Sequence, residues 1–469
     1  MRDEPVTDDA PLERALSTTD ATLVTIGATL GTGIFLTTSA VARAAPDPRG
    51  VLLLWVGGGL LALAGALTYG ELGAMFPRAG GLYHYLKEAY GPLWGFLYGW
   101  GAFFVMMTGG IAVIAVGFGE YLGAFLPFFS SEHSLWTLPL GPVVWSTTGA
   151  QLGGALAIAG LTAVNCAGVR AGAGFQNAIT AAKIGSLVLL GAAGLFLPAR
   201  PGTFAHAASL FPAGLAAAGV GMIAVLWTYD GWYGATFLAG EMRRPEKSLP
   251  VGLVAGTLTV TALYLLLNVV YLRAIPVPVL AHTPRVAEAS ALALFGPGGG
   301  RLISALVLIS IFGCLATTVL YCPRIYLAMS RDGFFFSALG RVHPRTRVPQ
   351  ASLLAQGAWA VALAFSGSYE QLYTYVIFAT FLFHAAAGVA VIVLRRRRPE
   401  AARPFRVPGY PWTPLVFVAV CLVFVGNTLA EKPVESVIGL GILALGLPAF
   451  FGWRRRSAAP AGPFSASSP

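Results

Sequence analysis

Twelve long apolar stretches constrain what this chain can fold into more than any other feature. Each contains about 20 predominantly apolar residues, the length that a helix needs to cross the hydrocarbon core of a bilayer. Turn residues or charges separate the stretches, which lie at 21–43, 51–75, 94–126, 149–168, 175–198, 214–240, 250–272, 301–330, 350–366, 371–394, 411–430 and 434–452. The pattern predicts an all-α polytopic membrane protein with 12 transmembrane helices.

Composition excludes several other classes of protein. Only 11% of the 469 residues are charged, whereas soluble domains have about 25%, so we expect neither a soluble enzyme nor a nucleic-acid-binding protein. The first 16 residues include five acidic ones, and we therefore expect no cleavable signal peptide. The four cysteines lie in apolar stretches without a CxxC pair, which indicates free thiols. No convergent acid, base or metal ligands are visible at depth, so we expect no cofactor, no metal and no enzymatic activity.

The distribution of basic residues predicts the orientation of the chain. With the N-terminus inside, 22 of the 30 Lys and Arg residues fall on the inner side, seven fall outside, and Lys183 lies within a span. Basic residues are concentrated in the cytoplasmic loops of membrane proteins. Both termini are therefore predicted to be cytoplasmic, and the net charge of +10 is explained by orientation rather than by a nucleic-acid partner.

Two spans carry polar and glycine-rich interruptions at mid-membrane depth. GATLGTGIF occupies 27–35 in the first span, and LWTYDGWYG occupies 226–234 in the sixth. Close helix packing by small residues explains Gly31 to Gly33 about equally well when these residues are taken alone. However, each interruption lies in the first helix of a block of five spans, which indicates an inverted repeat with a binding site at the breaks. Broken helices free amide and carbonyl groups, which suit the carboxylate and ammonium of a zwitterion.

At this point the sequence resembles the amino acid-polyamine-organocation (APC) superfamily, nearest its L-type amino acid transporter branch. The motifs run in family order: GATLGTGIF (27–35), YGELGAMFPRAGGLYHYL (69–86), YGPLWGFLYGW (90–100), VRAGAGFQNAITAAKIGSLVLL (169–190), WTYDGWYGATFLAGEMRRPEKSLP (227–250), ALYLLLNVVYL (262–272), CPRIYLAMSRDG (322–333) and LRRRRPEAARPFRVPGYP (394–411). The resemblance implies a five-plus-five inverted repeat of the LeuT type with two peripheral helices. The expected divisions are an acidic cytoplasmic tail at 1–17, five-helix repeats at 18–200 and 201–394, peripheral helices at 395–456, and a disordered cytoplasmic tail at 457–469.

The resemblance also implies which residues bind substrate: Thr29, Gly31, Thr32, Gly33, Trp227, Tyr229, Asp230 and Gly231. In the family, amides of the first break bind the substrate carboxylate, and carbonyls of both breaks receive its amine. Trp227 stands where the family usually has a gating Phe. Asp230 replaces the Gly of animal members, which puts a possible anion beside the substrate amine.

Lys183 is the sharpest single polar signal, because a Lys within a span costs about 2.5–3.5 kcal/mol on insertion scales unless something compensates it. Snorkelling of its ammonium to the cytoplasmic face is the plain alternative. The resemblance implies instead that Lys183 occupies the sodium site of sodium-coupled relatives, with Tyr264 as its partner. Among the other polar residues, His384 is interpreted as a packing residue rather than a proton relay. Glu71 and Glu241 fit gate ion pairs and simple solvation equally well.

The function that the sequence predicts is sodium-independent exchange of neutral L-amino acids by alternating access across the plasma membrane, the inner membrane of a bacterium. The alternative is proton-coupled amino acid symport, possibly of other or cationic amino acids, with Lys183 or Asp230 titrating. The expected partners are the amino acid substrate and the lipid bilayer. Residues 127–148 contain no Cys, whereas animal members of the branch use a Cys in this loop to bind an accessory subunit, so no disulfide-linked subunit is expected.

Overall fold

The computed structural model is mostly helical and describes residues 14–140, 143–167, 172–199, 209–346 and 348–458. The larger parts of the two predicted tails, 1–17 and 457–469, lie outside these described residues. The helices of the first half are α1 (Thr18–Thr29), α2 (Gly33–Leu36), α3 (Thr38–Ala44), α4 (Pro48–Met75), α5 (Leu82–Tyr90), α6 (Pro92–Gly101), α7 (Met107–Leu122), α8 (Gly149–Ala167) and α9 (Gly172–Phe196). A π-helical turn, Ala102–Met106, joins α6 to α7.

The second half repeats the pattern of long apolar helices joined by short connections. Its helices are α10 (Gly214–Tyr229), α11 (Pro245–Ala274), α12 (Val277–Leu280), α13 (Val286–Tyr321), α14 (Pro323–Arg331), α15 (Gln350–Ala364), α16 (Tyr369–Arg397), α17 (Trp412–Glu431) and α18 (Pro433–Ala458). Short 3₁₀ helices occupy Pro127–Phe129, Gly234–Glu241 and Ser337–Gly340. The described residues contain ten helical segments that are long and apolar enough to cross a membrane.

Two of the twelve predicted spans are helical but do not meet this measure. The fifth corresponds to α9, of which Lys183–Phe196 is the apolar stretch within the fully described residues. In the ninth, α15 has 15 residues, which at 1.5 Å per residue is shorter than a hydrocarbon core of about 30 Å. A multi-pass helical membrane protein is thus established, and the count of twelve stays a prediction.

The segment between the third and fourth spans is more ordered than the loop that the sequence suggests. Strands β1 (Ser134–Leu140) and β2 (Val143–Thr148) pair antiparallel, with Leu140 opposite Val143. The segment is rich in Val, Thr and Trp, residues that favour strands. The eighth span also differs, because α13 begins at Val286 and is kinked at Gly296, where φ is 75°.

Close approach between helices is made possible by small residues, as expected inside a membrane. A Cβ atom added at Gly252 of α11 would lie 2.7 Å from Ala21 Cβ, and one at Gly256 would lie 2.5 Å from Thr25 Cγ2. The α1 helix therefore packs directly against the backbone of α11. A capping box at Ser17 and Asp20 begins α1. Local sequence thus determines where α1 starts, and contact with α11 determines which of its faces is buried.

Buried ion pairs fasten the predicted cytoplasmic ends of the helices. Glu71 of α4 is fully buried and accepts hydrogen bonds from Arg395 of α16 at 2.8 and 2.6 Å and from the Val407 amide at 2.7 Å. Arg403 lies 3.6 Å from the same carboxylate. Glu241 pairs with Arg324 at 3.3 Å. Ion pairing rather than solvation thus describes both glutamates that the sequence left undecided.

Candidate functional site

The first break separates α1 from α2 within three residues. Leu30 leaves the helical region with φ −72° and ψ 75°, and the Gly31 amide turns back to donate to Thr29 O at 2.8 Å. Helical hydrogen bonds resume when Thr37 N donates to Gly33 O at 2.8 Å. Because the first amides of a helix have no acceptor within it, the restart presents free N–H groups at the break.

The second break follows α10 and lies against the first. Asp230 is extended, with φ −60° and ψ 146°, and Gly231 adopts φ 105°, a conformation that glycine accepts at little cost. A Cβ atom on Gly231 would lie 2.6 Å from Ala28 O. The Gly234 amide then donates to Gly231 O at 2.8 Å and begins the 3₁₀ helix. The two breaks predicted from glycine patterns are therefore neighbours in space.

A small cavity lies between the two breaks. Its walls come from the breaks and from α7 and α13. The lining residues are Ala28, Thr29, Gly31, Thr32, Gly33, Met106, Met107, Gly110, Ile114, Trp227, Thr228, Asp230, Gly231, Tyr233, Cys314, Thr318 and Tyr321. Seven of the eight residues implied by the resemblance line this cavity.

Tyr229 is the exception. Its hydroxyl donates to Trp55 O at 3.1 Å, and its ring packs edge-on against Tyr264 with centroids 5.1 Å apart. Side chains of consecutive helical residues point about 100° apart around the helix axis. Tyr229 therefore faces α4 and α11, while Asp230 faces the cavity. The Tyr229 side chain thus lies outside this cavity, and the substrate-binding role predicted for Tyr229 stays a prediction.

Lys183 and Tyr264 both reach the first break from outside the cavity. The Tyr264 hydroxyl lies 2.7 Å from Thr29 O and 2.9 Å from Thr228 O, so it spans the ends of α1 and α10. Lys183 is 2% exposed, and its Nζ lies 3.5 Å from Leu30 O. The ammonium thus lies at the break and not at the surface, where it faces the carbonyl end of α1.

Tyr369, at the start of α16, is a site residue that the sequence did not reveal. Its hydroxyl donates to Thr32 Oγ1 at 2.7 Å and accepts from Trp227 Nε1 at 3.0 Å. The next residue, Glu370, pairs with Arg43 of α3 at 3.3 Å. The predicted tenth span begins at 371, and only the Ser368 capping box indicates that the helix starts earlier. We name the Thr32–Tyr369–Trp227 chain the hydroxyl latch.

His384 and Asp230 lie side by side behind the cavity. Asp230 Oδ2 accepts from the Tyr233 hydroxyl at 3.3 Å, and Asp230 Oδ1 lies 4.0 Å from His384 Nε2. On the other side of the imidazole, Nδ1 lies 2.7 Å from the Tyr69 hydroxyl. The sequence treated His384 as a packing residue, because nothing in it showed that α16 faces the second break.

The structure is that of a multi-pass membrane protein with two interrupted helices around a cavity. Sequence comparison identifies the family to which such a protein belongs. The amino acid permease family model matches residues 16–440, and the chain belongs to that family. This confirms the resemblance to the APC superfamily.

Named relatives cover nearly the whole chain. It is 32% identical to the serine/threonine exchanger SteT of Bacillus subtilis over 96% of this chain and 99% of that protein. Identity to the b(0,+)-type amino acid transporter 1 of Mus musculus is 28% over 96% and 91% of the two chains. The cystine/glutamate transporter of Homo sapiens is 27% identical over 96% and 87%.

Proposed function

We propose that this protein is a sodium-independent amino acid exchanger that works by alternating access. The observation that carries the proposal is the cavity between two opposed helix breaks, to which both breaks contribute lining residues. Its relatives named as exchanger and transporters support the substrate class. The chain is proposed to transport rather than to catalyse.

The two ends of a zwitterion would take different parts of the cavity. The substrate carboxylate binds the amides at Thr32 and Gly33, where a helix restarts and its dipole is positive. The ammonium binds carbonyls at the end of α10, beside Asp230. Neutral L-amino acids are the proposed main substrates.

The proposed frame for alternating access is the five-plus-five inverted repeat, with repeats at 18–200 and 201–394 and peripheral helices at 395–456. It is supported by the position of each break in the first helix of its block. Twelve spans with both termini cytoplasmic in a bacterial inner membrane complete the proposed topology. The motion would rock the broken helices against the rest of the bundle.

Lys183 takes the place of a coupling cation in this proposal. Its ammonium lies 3.5 Å from Leu30 O, so a fixed positive charge already stabilises the break that sodium would otherwise hold. We expect exchange to persist when choline replaces sodium. Lys183→Ala should lose most of the exchange, and Lys183→Arg should restore only part of it, because a planar guanidinium does not replace a compact ammonium.

Uptake of radiolabelled L-serine into proteoliposomes tests exchange directly. Vesicles loaded with unlabelled L-serine should accumulate label at least tenfold faster than empty vesicles, in sodium or in choline. Equal uptake into empty vesicles under an inward proton gradient would replace exchange by the symport alternative. Strict dependence on sodium would contradict the role given to Lys183.

We also propose that the chain works without a disulfide-linked subunit. Residues 127–148 contain no Cys, and the free cysteines Cys314, Cys322 and Cys421 are buried while Cys166 is half-buried. One relative differs by name, since the large neutral amino acids transporter small subunit 2 of Mus musculus, 28% identical, is called a subunit. A band on non-reducing gels that collapses with reductant would contradict this proposal.

A further inference from the structure

Two buried polar atoms face each other at the side of the substrate cavity. Asp230 Oδ1 and His384 Nε2 both lack a hydrogen-bond partner within the described part of the chain, and they are 4.0 Å apart. Buried polar atoms in native proteins are nearly always satisfied. At this distance the two atoms are too far apart to hydrogen-bond each other, so both remain unsatisfied by the described residues.

The pair is open to the substrate and closed on its other sides. The Asp230 side chain is 14% exposed, whereas that of His384 is 1% exposed. Behind Asp230 lies a smaller cavity, whose remaining walls are apolar or aromatic: Leu61, Ala62, Leu226, Tyr229, Trp232, Phe381, His384 and Phe417. Protons can therefore reach the pair from the substrate cavity and have no polar path through the second one.

The other ionisable groups around Asp230 are weak acids. Those that interact electrostatically with Asp230 are Tyr69 of α4, Tyr98 of α6, Tyr233 of the second break, Tyr321 of α13 and Cys322. No Lys or Arg forms an ion pair with Asp230 among the described residues. A buried carboxylate without a compensating charge is costly, so its charge must be balanced by a proton or by a cation in the cavity.

Imidazole and carboxylate together can hold that proton. When the Tyr69 hydroxyl donates to Nδ1, neutral His384 carries its hydrogen on Nε2 and points it toward Asp230. The pair then has a net charge of −1. One added proton, taken up by the Asp230 carboxylate or by Nδ1 of the imidazole, brings the net charge to zero; in the second case the Tyr69 hydroxyl rotates from donor to acceptor.

We propose that Asp230 and His384 form a proton-binding site that alternates with the second positive charge of a cationic amino acid. A neutral amino acid enters with the proton on the pair, and a lysine-like substrate enters with the proton absent. The charge in the cavity is then the same in both complexes. This inference rests on the proposed exchange function and specifies how that exchange handles substrate charge.

The transport cycle that follows balances in charge and in protons. An external neutral zwitterion and one proton bind and move inward, and both are released to the lumen. An internal cationic amino acid then binds the deprotonated pair and moves outward. One positive charge crosses in each direction, so heteroexchange is electroneutral and delivers one proton for each neutral amino acid taken up.

Proteoliposomes containing the full chain and luminal pyranine measure this proton directly. With L-lysine inside and labelled L-serine outside, the lumen should acidify by one proton per serine taken up, with or without a valinomycin-imposed potential. Serine–serine and lysine–lysine exchange should move no net proton. Because proton binding and lysine binding exclude each other, raising the pH should favour lysine over serine by up to tenfold per pH unit while the pair titrates.

A His384→Asn variant tests the role of the imidazole, with His282→Asn as the control because His282 is exposed in a loop. The proton-to-serine ratio should fall below about one fifth of wild type in His384→Asn and remain at one in His282→Asn. The ratio is normalised to labelled flux, so reduced expression does not alter it. If the His384 variant does not fold, the wild-type ratio and the pH-dependent competition still decide the proposal.

The two proposals fail differently. Serine–lysine flux without luminal acidification, or an unchanged ratio in His384→Asn, overturns the proton site and leaves exchange intact. Serine–serine exchange without any serine–lysine exchange also overturns it, since the deprotonated state would then admit no cation. Loss of every exchange mode in well-folded wild-type protein rejects the exchange function itself.

Discussion

At the scale of single residues, sequence patterns located the site but not the direction of its side chains. The resemblance implies that Gly33 binds substrate, yet a Cβ atom there would lie 2.3 Å from Thr228 Oγ1 and 2.6 Å from Thr228 Cα. Helix packing alone therefore requires glycine at this position. A bulky residue at Gly33 would disturb the fold, so loss of activity in Gly33→Val would not distinguish binding from packing.

Gly110 of α7 provides the cleaner test of the cavity. It lines the cavity, and a Cβ atom added there meets nothing within 4 Å. Gly110→Val should fold normally and reduce the space for substrate side chains. In competition with labelled L-serine, the half-inhibitory concentration of L-leucine should rise at least tenfold more than that of L-alanine.

Gly33→Ala is the control for Gly110→Val, because it adds one methyl group directly against Thr228. It should lower the thermal unfolding temperature, whereas Gly110→Val should leave it within about 2 °C. An unchanged competition profile in a stable Gly110→Val protein would place the substrate elsewhere.

At the scale of helices, the breaks were predictable and their connection to α16 was not. Glycines and polar residues at apolar depth mark Leu30 to Thr32 and Asp230 to Tyr233 within the sequence itself. Tyr369 reaches Thr32 and Trp227 across 337 and 142 residues, and no local pattern encodes such a contact. His384 was missed for the same reason. Contacts between distant segments depend on how helices are arranged, which only the structure supplies.

The hydroxyl latch is predicted to hold one end of the cavity closed. Tyr369→Phe removes two hydrogen bonds but keeps the ring, which packs against Tyr373 with centroids 5.6 Å apart. Each lost bond is worth about 1 kcal/mol, so the closed state should become less populated by roughly fivefold or more. Labelling of Ile114→Cys, in the cavity wall, by an external maleimide should accelerate by the same factor.

Tyr373→Phe is the control for the latch, since the Tyr373 hydroxyl has no hydrogen bond among the described residues and its ring stacks beside Trp227. Its labelling rate should match that of the parent Ile114→Cys protein. Equal acceleration by both variants would assign the effect to ring packing and remove the latch from the gating mechanism.

At the scale of the whole molecule, composition and hydropathy predicted a multi-pass helical membrane protein. The number of spans depends on the length of individual helices, and the orientation depends on the charges of the loops. Ten helical segments of the described residues meet the length and hydropathy of a span, and α15 falls short because it has only 15 residues. A helix of that length is covered by neighbours or by local thinning of the bilayer. Sequence patterns show the length of an apolar stretch but not how neighbouring helices or the bilayer adjust to a short helix.

Orientation follows from the same large-scale charge pattern and can be tested with two exposed serines. Ser131 lies in the loop with few basic residues and Ser337 lies in one rich in arginine, so the excess of inside charge predicts opposite sides for them. In a Cys166→Ser background, whose remaining cysteines are buried, Ser131→Cys should react with a membrane-impermeant maleimide in intact cells. Ser337→Cys should react only after lysis. The reverse result would invert the topology. The hydroxyl latch would then lie on the cytoplasmic side, and the ion pairs of Glu71 with Arg395 and Arg403 would lie on the outer side.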